Sequence, residues 1–253
     1  MKPRIEAVVL PLLVAAVLVA AWHAVVKYSG SDIFPTPGQV ALGVVELAEK
    51  GVLHKYVVAS LFRVFWGFGL AMAVGIPMGL MMGWYGPAFR AFNPMIQVLR
   101  PISPIAWIPV AILWFGIDDR APVFLIFLAS VFPICTATIA AVRNIPLVHL
   151  RAAQNFGVRG PALFARILFP AALPQVITGL RIALGVAWLV VVAAEMIAVD
   201  SGLGYLIIDA RNAGKRYDLV VAGMVLIGLI GLVLDLAMRR LERLPEVRWG
   251  FPR

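Results

Sequence analysis

Six apolar stretches alternate with shorter polar ones along this chain, at approximately 6–27, 62–84, 92–115, 121–142, 175–198 and 218–238. Each is close to the ~20 residues an α-helix needs to cross a hydrocarbon core. The pattern predicts an all-α, polytopic membrane protein with about six transmembrane helices. The first stretch follows Lys2 and Arg4 as a signal peptide would, but no small-residue cleavage site precedes Trp22, His23 and Lys27. It is therefore read as a retained helix.

Between the first two stretches, FPTPGQVALGVVELAEKGVLHKY is too polar to cross and is patterned as a helix, with Thr36 as N-cap and Pro37 at the first helical position. An external amphipathic helix lying against the bundle or the membrane surface is expected here. The second stretch carries Gly67, Ala71, Gly75, Gly79 and Gly83 at every fourth position. On a helix these form a smooth stripe that lets a neighbour approach closely, within one subunit or across a dimer. Pro77 is a candidate kink.

The third stretch is unlike the others, because LRPISPIAWIPVAILWFGI places Pro101, Pro104 and Pro109 inside an intended span. A break or kink is expected there. Non-helical backbone at membrane depth is tolerated only where it is buried in protein or lines a wet cavity, and a half-helix N-terminus favours anions. This segment is the candidate translocation path, with Arg100, Ser103 and Trp107 as a cation, a hydroxyl and an indole for a small oxyanion. The plainer alternative has Arg100 snorkelling to the cytoplasmic interface and Trp107 packing against neighbours.

Composition agrees with the hydropathy pattern. Hydrophobic residues make up 62% and charged residues 14%, with mean hydropathy +0.95, against about a quarter charged in ordinary soluble domains. The net charge of +9 is spread by membrane side and is not gathered in one patch with stacking aromatics, so nucleic acid is not a partner. One cysteine, Cys135, excludes an intramolecular disulfide and reads as a small buried hydrophobe. His23, His54 and His149 have no metal-ligand spacing, so no metal is assigned.

Lys2, Arg4, Arg90, Arg143, Arg151, Arg159, Arg166, Arg239, Arg240, Arg243, Arg248 and Arg253 would share one side of the membrane; Lys50, Lys55, Arg120, Arg211, Lys215 and Arg216 would lie on the other, mixed with acids. The excess places both termini in the cytoplasm. The polar, turn-containing segment RAAQNFGVRGPALFARILFP, from Arg151 to Pro170, is then cytoplasmic as well. No acidic residue occurs between Arg120 and Glu195, so this loop is purely cationic. Anionic headgroups and an acidic protein partner explain that charge equally.

The same segment resembles the EAA signature of ABC-importer permeases: Ala152 and Ala153, Gly157 four positions on, then Ile167, Phe169 and Pro170. Arg151 stands where that family usually has Glu. RPISPIAWIPVAILWFGI is similar to the third-span sequence of the nitrate, sulfonate and taurine group, and AEMIAVDSGLGYLIIDAR to the loop before its last helix, with a lean towards aliphatic-sulfonate members. The resemblance spans roughly residues 57–245. It implies a type I ABC importer permease fold and a bacterial inner-membrane location. It also implies a homodimer, a cytoplasmic ATPase that binds ATP and Mg, and an external solute-binding protein. Its short coupling helix would dock on that ATPase through Arg151, Ala152, Ala153, Gly157, Ile167, Phe169 and Pro170. The chain divides accordingly into 1–56 (first helix and external helix), 57–245 (permease core, coupling loop 150–171) and 246–253 (cytoplasmic tail).

Two acids need separate weighing. Glu195 should lie near the external end of the fifth helix, either as a gate or receptor contact or simply at the interface. Asp235 has Arg239 four residues on and reads as a helix-surface ion pair.

No G-x-x-x-x-G-K-[ST] occurs, so no phosphate-cradling loop binds ATP here. No nucleophile elbow, His–Glu zinc pattern or paired carboxylates suggest an enzyme. The chain itself is thus read as a non-catalytic permease subunit without cofactor. An ion-gradient-driven transporter would show inverted repeats and deep acids, which are not evident. A non-transporting scaffold fits the small-residue stripe but leaves the proline-broken span unexplained.

Overall fold

The computed structural model describes residues 2–30, 34–243 and 247. The expected tail at 246–253 lies, apart from Val247, outside the described residues. In chain order the helices are α1 (Lys2–Ser29), α2 (Pro37–Glu49), α3 (Val52–Trp84), α4 (Gly86–Leu99), a 3₁₀ turn (Pro104–Trp107), α5 (Ile108–Phe115), α6 (Arg120–Arg143), α7 (Leu147–Asn155) and α8 (Gly160–Leu163). A π-helical turn (Phe164–Leu168) then leads into α9 (Phe169–Ala198), followed by α10 (Leu203–Gly214) and α11 (Tyr217–Leu241). Among the described residues five helices are long and apolar enough to cross a membrane, and the α4–α5 pair makes a sixth.

The core is three helices deep, with α6 in the middle between α3 and α9. The glycine stripe makes the first contact. A Cβ on Gly67 would come within 2.7 Å of Ile126, one on Gly75 within 3.0 Å of Ile134, one on Gly79 within 2.6 Å of Thr138 and one on Gly83 within 2.6 Å of Val142. Both series advance in steps of four or eight at a constant offset, so α3 and α6 run parallel with a small residue facing a bulkier one at each level. Of the two uses expected for the stripe, the fold employs the one within the subunit. On the other flank Gly179 of α9 gives way to Ala137 of α6 in the same manner. Tight backbone approach is what holds helices together in lipid, where the hydrophobic effect between spans is weak.

Several boundaries depart from the hydropathy pattern. The segment at 34–56 is not one helix: Gly51, with φ of +66°, ends α2 and starts α3, which is therefore longer than the apolar run at 62–84. α2 begins as expected, with a capping box in which Gln39 N donates to Thr36 Oγ1 and Thr36 N donates to Gln39 Oε1. α3 runs through Pro77 without interruption. The fifth span starts earlier than residue 175, because the helix continues from the π turn at Phe164. The third stretch is broken as expected: α4 and α5 meet at 82° across Arg100–Ser103.

At one end of the bundle, α2, α10 and the start of α11 share a cluster of Val40, Leu47, Leu206, Ala210, Leu219 and Ala222. At the opposite end Leu80, Val142, Leu168, Ala172 and Val176 bring α3, α6 and α9 together. α1 stands apart with most of its side chains exposed and touches α2 near its end, where Trp22 meets Phe34 edge to face.

Candidate functional site: an exposed hairpin, a broken span and a buried ionic cluster

The α7–α8 hairpin follows directly from its sequence. Gly157 takes φ of +75°. Val158 N donates to Ala153 O at 3.0 Å and Gly157 N to Gln154 O at 3.0 Å. That pair of bonds is a Schellman stop, which needs a left-handed residue just past the helix and so favours glycine. Leu150 and Phe164 pack on the Leu80–Val142–Leu168 cluster, and this seats the hairpin on the end of the three-helix core.

The signature residues do not all face the same way. Ala153 is buried against the core, whereas Arg151, Ala152 and Gly157 are exposed. Only one of the two alanines therefore leaves room for a partner. Ile167 is half-buried, and Phe169 and Pro170 are exposed at the start of α9, where Pro170 occupies the first turn. Sequence reasoning missed Phe156, which stands 86% exposed at the tip beside the turn. Its signal was a lone aromatic between Asn155 and Gly157 in an otherwise polar stretch. Arg151, Arg159 and Arg166 of the same segment are exposed as well.

At the α4–α5 break, Arg100 and Trp107 line a cavity of about 250 Å³ together with Leu99, Ile102, Pro104, Leu128, Ala129, Phe132, Pro133 and Val186. Residues 128–133 are the middle of α6, so the cavity that exposed Arg100 lines lies against the middle of that helix. Ser103 lies in the break as an exposed residue but does not contribute to the cavity wall.

Glu195 lies three residues before the end of α9, beside the Ser201–Gly204 turn. It is fully buried, and its carboxylate accepts from Arg63 Nη1 at 2.7 Å, Ser60 Oγ at 2.9 Å and Gly204 N at 3.0 Å. Arg63, 1% exposed, also donates to Asp119 Oδ1 through Nε at 2.8 Å, to Ser201 O at 2.7 Å and to Ser201 Oγ at 2.6 Å. Leu203 N donates to Ser60 Oγ at 3.0 Å. An arginine inside an apolar helix was the available signal, and it disappears when spans are counted by hydropathy alone. Asp235 forms the expected bond with Arg239 at 2.9 Å but also receives two from Arg181 of α9, at 2.5 and 3.1 Å. It is an inter-helix contact as well as a surface pair. Among the described residues no group of three or more His, Cys, Asp or Glu could hold a metal ion.

The chain matches the family described as "Binding-protein-dependent transport system inner membrane component" over residues 75–246. It belongs to that family. The permease is 34% identical to the taurine transport system permease protein of Escherichia coli, covering 95% of this chain and 90% of that one. It is 34% identical to the nitrate import permease protein of a Synechocystis species, covering 94% and 89%. With an Escherichia coli aliphatic sulfonates transport permease the figure is 35%, covering 92% and 89%. In fold it is similar to a chain of the methionine ABC transporter MetNI in inward-facing conformations, with TM-score 0.68, 18% identity, and 76% of this chain and 95% of that chain covered. The type I importer permease fold expected from the resemblance is thus the fold observed. The protein is a multi-pass permease subunit of an ABC importer, and ATP hydrolysis belongs to a separate subunit.

Proposed function

We propose that this permease carries a small oxyanion (a sulfonate, taurine, nitrate or a similar anion) across the bacterial inner membrane by alternating access, working as a homodimer with both termini in the cytoplasm. A solute-binding protein delivers the anion on the outer side. Two ATPase subunits, binding ATP with Mg, drive the cycle from the cytoplasm.

The observation that carries this reading is the α7–α8 hairpin. It hangs from the end of the three-helix core, offers Arg151, Ala152 and Phe156 outward, and joins α9 at Phe169 and Pro170. An exposed aromatic on a segment that also exposes arginines suits an interface, where aromatic residues and Arg are enriched. Gly157 fixes the hairpin's angle, and Leu150 and Phe164 tie it to the helices it would move. Closure of the ATPases would push these hairpins and rock the helices as rigid bodies. The substrate class rests on Arg100, a cation on the wall of a cavity between the helices, where it can meet an anion. Relatives for taurine, nitrate and aliphatic sulfonates are equally similar, so the choice among these anions is left to the binding protein, with aliphatic sulfonates the first to assay.

The test is recovery of the ATPase with this subunit from nanodiscs, comparing the native 151–170 segment with a version scrambled over those residues. Loss of the ATPase in the scrambled protein alone is expected. Equal recovery with both would overturn the docking role.

A further inference from the structure

The Arg63 cluster is more heavily built than a helix contact requires. It joins four parts of the chain: α3 through Ser60 and Arg63, the start of α6 through Asp119, the end of α9 through Glu195, and the Ser201–Gly204 turn that leads into α10. All three guanidinium nitrogens of Arg63 donate, to Asp119, Glu195 and both oxygens of Ser201. Glu195 and Ser60 in turn accept from the first amides of α10, Gly204 N and Leu203 N. The turn fits this cluster because it lacks side chains: a Cβ on Gly202 would collide with the Glu195 carboxylate, and one on Gly204 with Val192 O. Gly202 also has φ of +105°.

From these contacts we propose that Arg63 and Glu195 are positioning residues, a clasp that fastens external helix α10 to the α3–α6–α9 core so that α10 travels with the core during transport. Below the clasp the core is continuous to the hairpin: the glycine stripe locks α3 to α6 along its length, and the Leu80–Val142–Leu168 cluster seats α7. A push at the hairpin therefore reaches α10 through one body, whereas α4 and α5 are separated from each other by the 82° break. A polar network whose central members, Arg63, Glu195 and Ser60, are buried and hydrogen-bonded suits this task, since it is rigid when intact and costly when one member is lost. Only the push itself rests on the coupling role proposed above.

The test uses the assembled transporter in nanodiscs, with spin labels at Lys55 of α3 and Asp209 of α10, both exposed, in a Cys135→Ala background. In the otherwise native protein the Lys55–Asp209 distance should be the same without nucleotide and after vanadate trapping. A shift on trapping would overturn the proposal. In Arg63→Met/Glu195→Met, which removes both buried charges together, the distance distribution should broaden at least twofold, and uptake per ATP hydrolysed should fall at least tenfold. A narrow distribution with full uptake per ATP would also overturn it. Should the double variant fail to insert, the native distance pair decides the matter alone. Absence of hydrolysis in the native assembly would count against the coupling role and leave the clasp to be judged from the nucleotide-free distances.

Discussion

Gly79 of α3 and Thr138 of α6 are in such close contact that a methyl group on Gly79 would lie 2.6 Å from Thr138 Cβ and 2.8 Å from Cys135 O. One of those atoms is backbone, so the clash is not relieved by turning a side chain. Gly79→Ala should force α3 and α6 apart and cost about 1–3 kcal/mol. Thermal unfolding of the purified subunit, followed by tryptophan fluorescence, should show a lowered midpoint. Gly69→Ala, on the open side of the same helix with nothing within 4 Å, should leave the midpoint unchanged or raise it.

Ser130 lies on the same face of α6, four residues after Ile126 and four before Ile134. By the register of the stripe it falls opposite Ala71. Its Oγ is buried and finds no hydrogen-bond partner among the described residues. An orphaned hydroxyl costs about 1–3 kcal/mol. Ser130→Ala should therefore stabilise the subunit by about 1 kcal/mol, and a lowered unfolding midpoint would contradict this account of the α3–α6 seam.

The ionic cluster that joins α2 to the start of α11 predicts a pH response. Glu46 of α2 accepts from Arg216 at 2.6 Å and from Lys50 at 2.6 Å, and Arg216 also holds Asp218. Hydrogen bonds from Arg216, then from Lys50, hold the Glu46 carboxyl at about 2, below its ordinary 4.5. The bonds to Asp218 and Glu46 push the Arg216 guanidinium further above its already high range, so it stays charged throughout. A depressed carboxyl contributes stability that is complete above its unfolded value and is lost as pH falls towards the folded one. The unfolding midpoint should decline between about pH 4.5 and about pH 2, and the decline should be shallower in Glu46→Gln. Equal slopes would show that this pair does not brace α2 against the start of α11.

Spans, the start of α2 and the broken third segment were legible because each is written in local sequence: ~20 apolar residues, a capping pair, three prolines. The end of α2 was not, since Gly51 supplies a positive φ inside a pattern that stays helical on both sides. The hairpin was legible in Gly157 and Pro170. The opposite facing of Ala152 and Ala153 depends on where Leu150 and Phe164 find the core, which is a tertiary matter. Glu195 was legible as an acid near the end of the fifth span beside the Asp200–Tyr205 loop, but its pairing was not, because its partner Arg63 lies 132 residues away. Sequence spacing carries no record of such a pair. Arg181 and Asp235, 54 residues apart, were hidden for the same reason.

The coupling role of the hairpin is tested most directly at Gly157. Proline requires φ near −65°, while Gly157 has +75° and donates its N–H to Gln154 O, so Gly157→Pro breaks the α7 stop without touching a transmembrane contact. Nothing lies within 4 Å of a Cβ at this position, so the effect is confined to the backbone of the turn. Uptake of labelled alkanesulfonate, taurine or nitrate and ATP hydrolysis should be measured together in proteoliposomes holding the permease, its ATPase and its binding protein. Gly157→Pro should insert normally and lower uptake per ATP hydrolysed at least tenfold. An unchanged ratio of uptake to hydrolysis would contradict the claim that this hairpin couples the ATPase to transport.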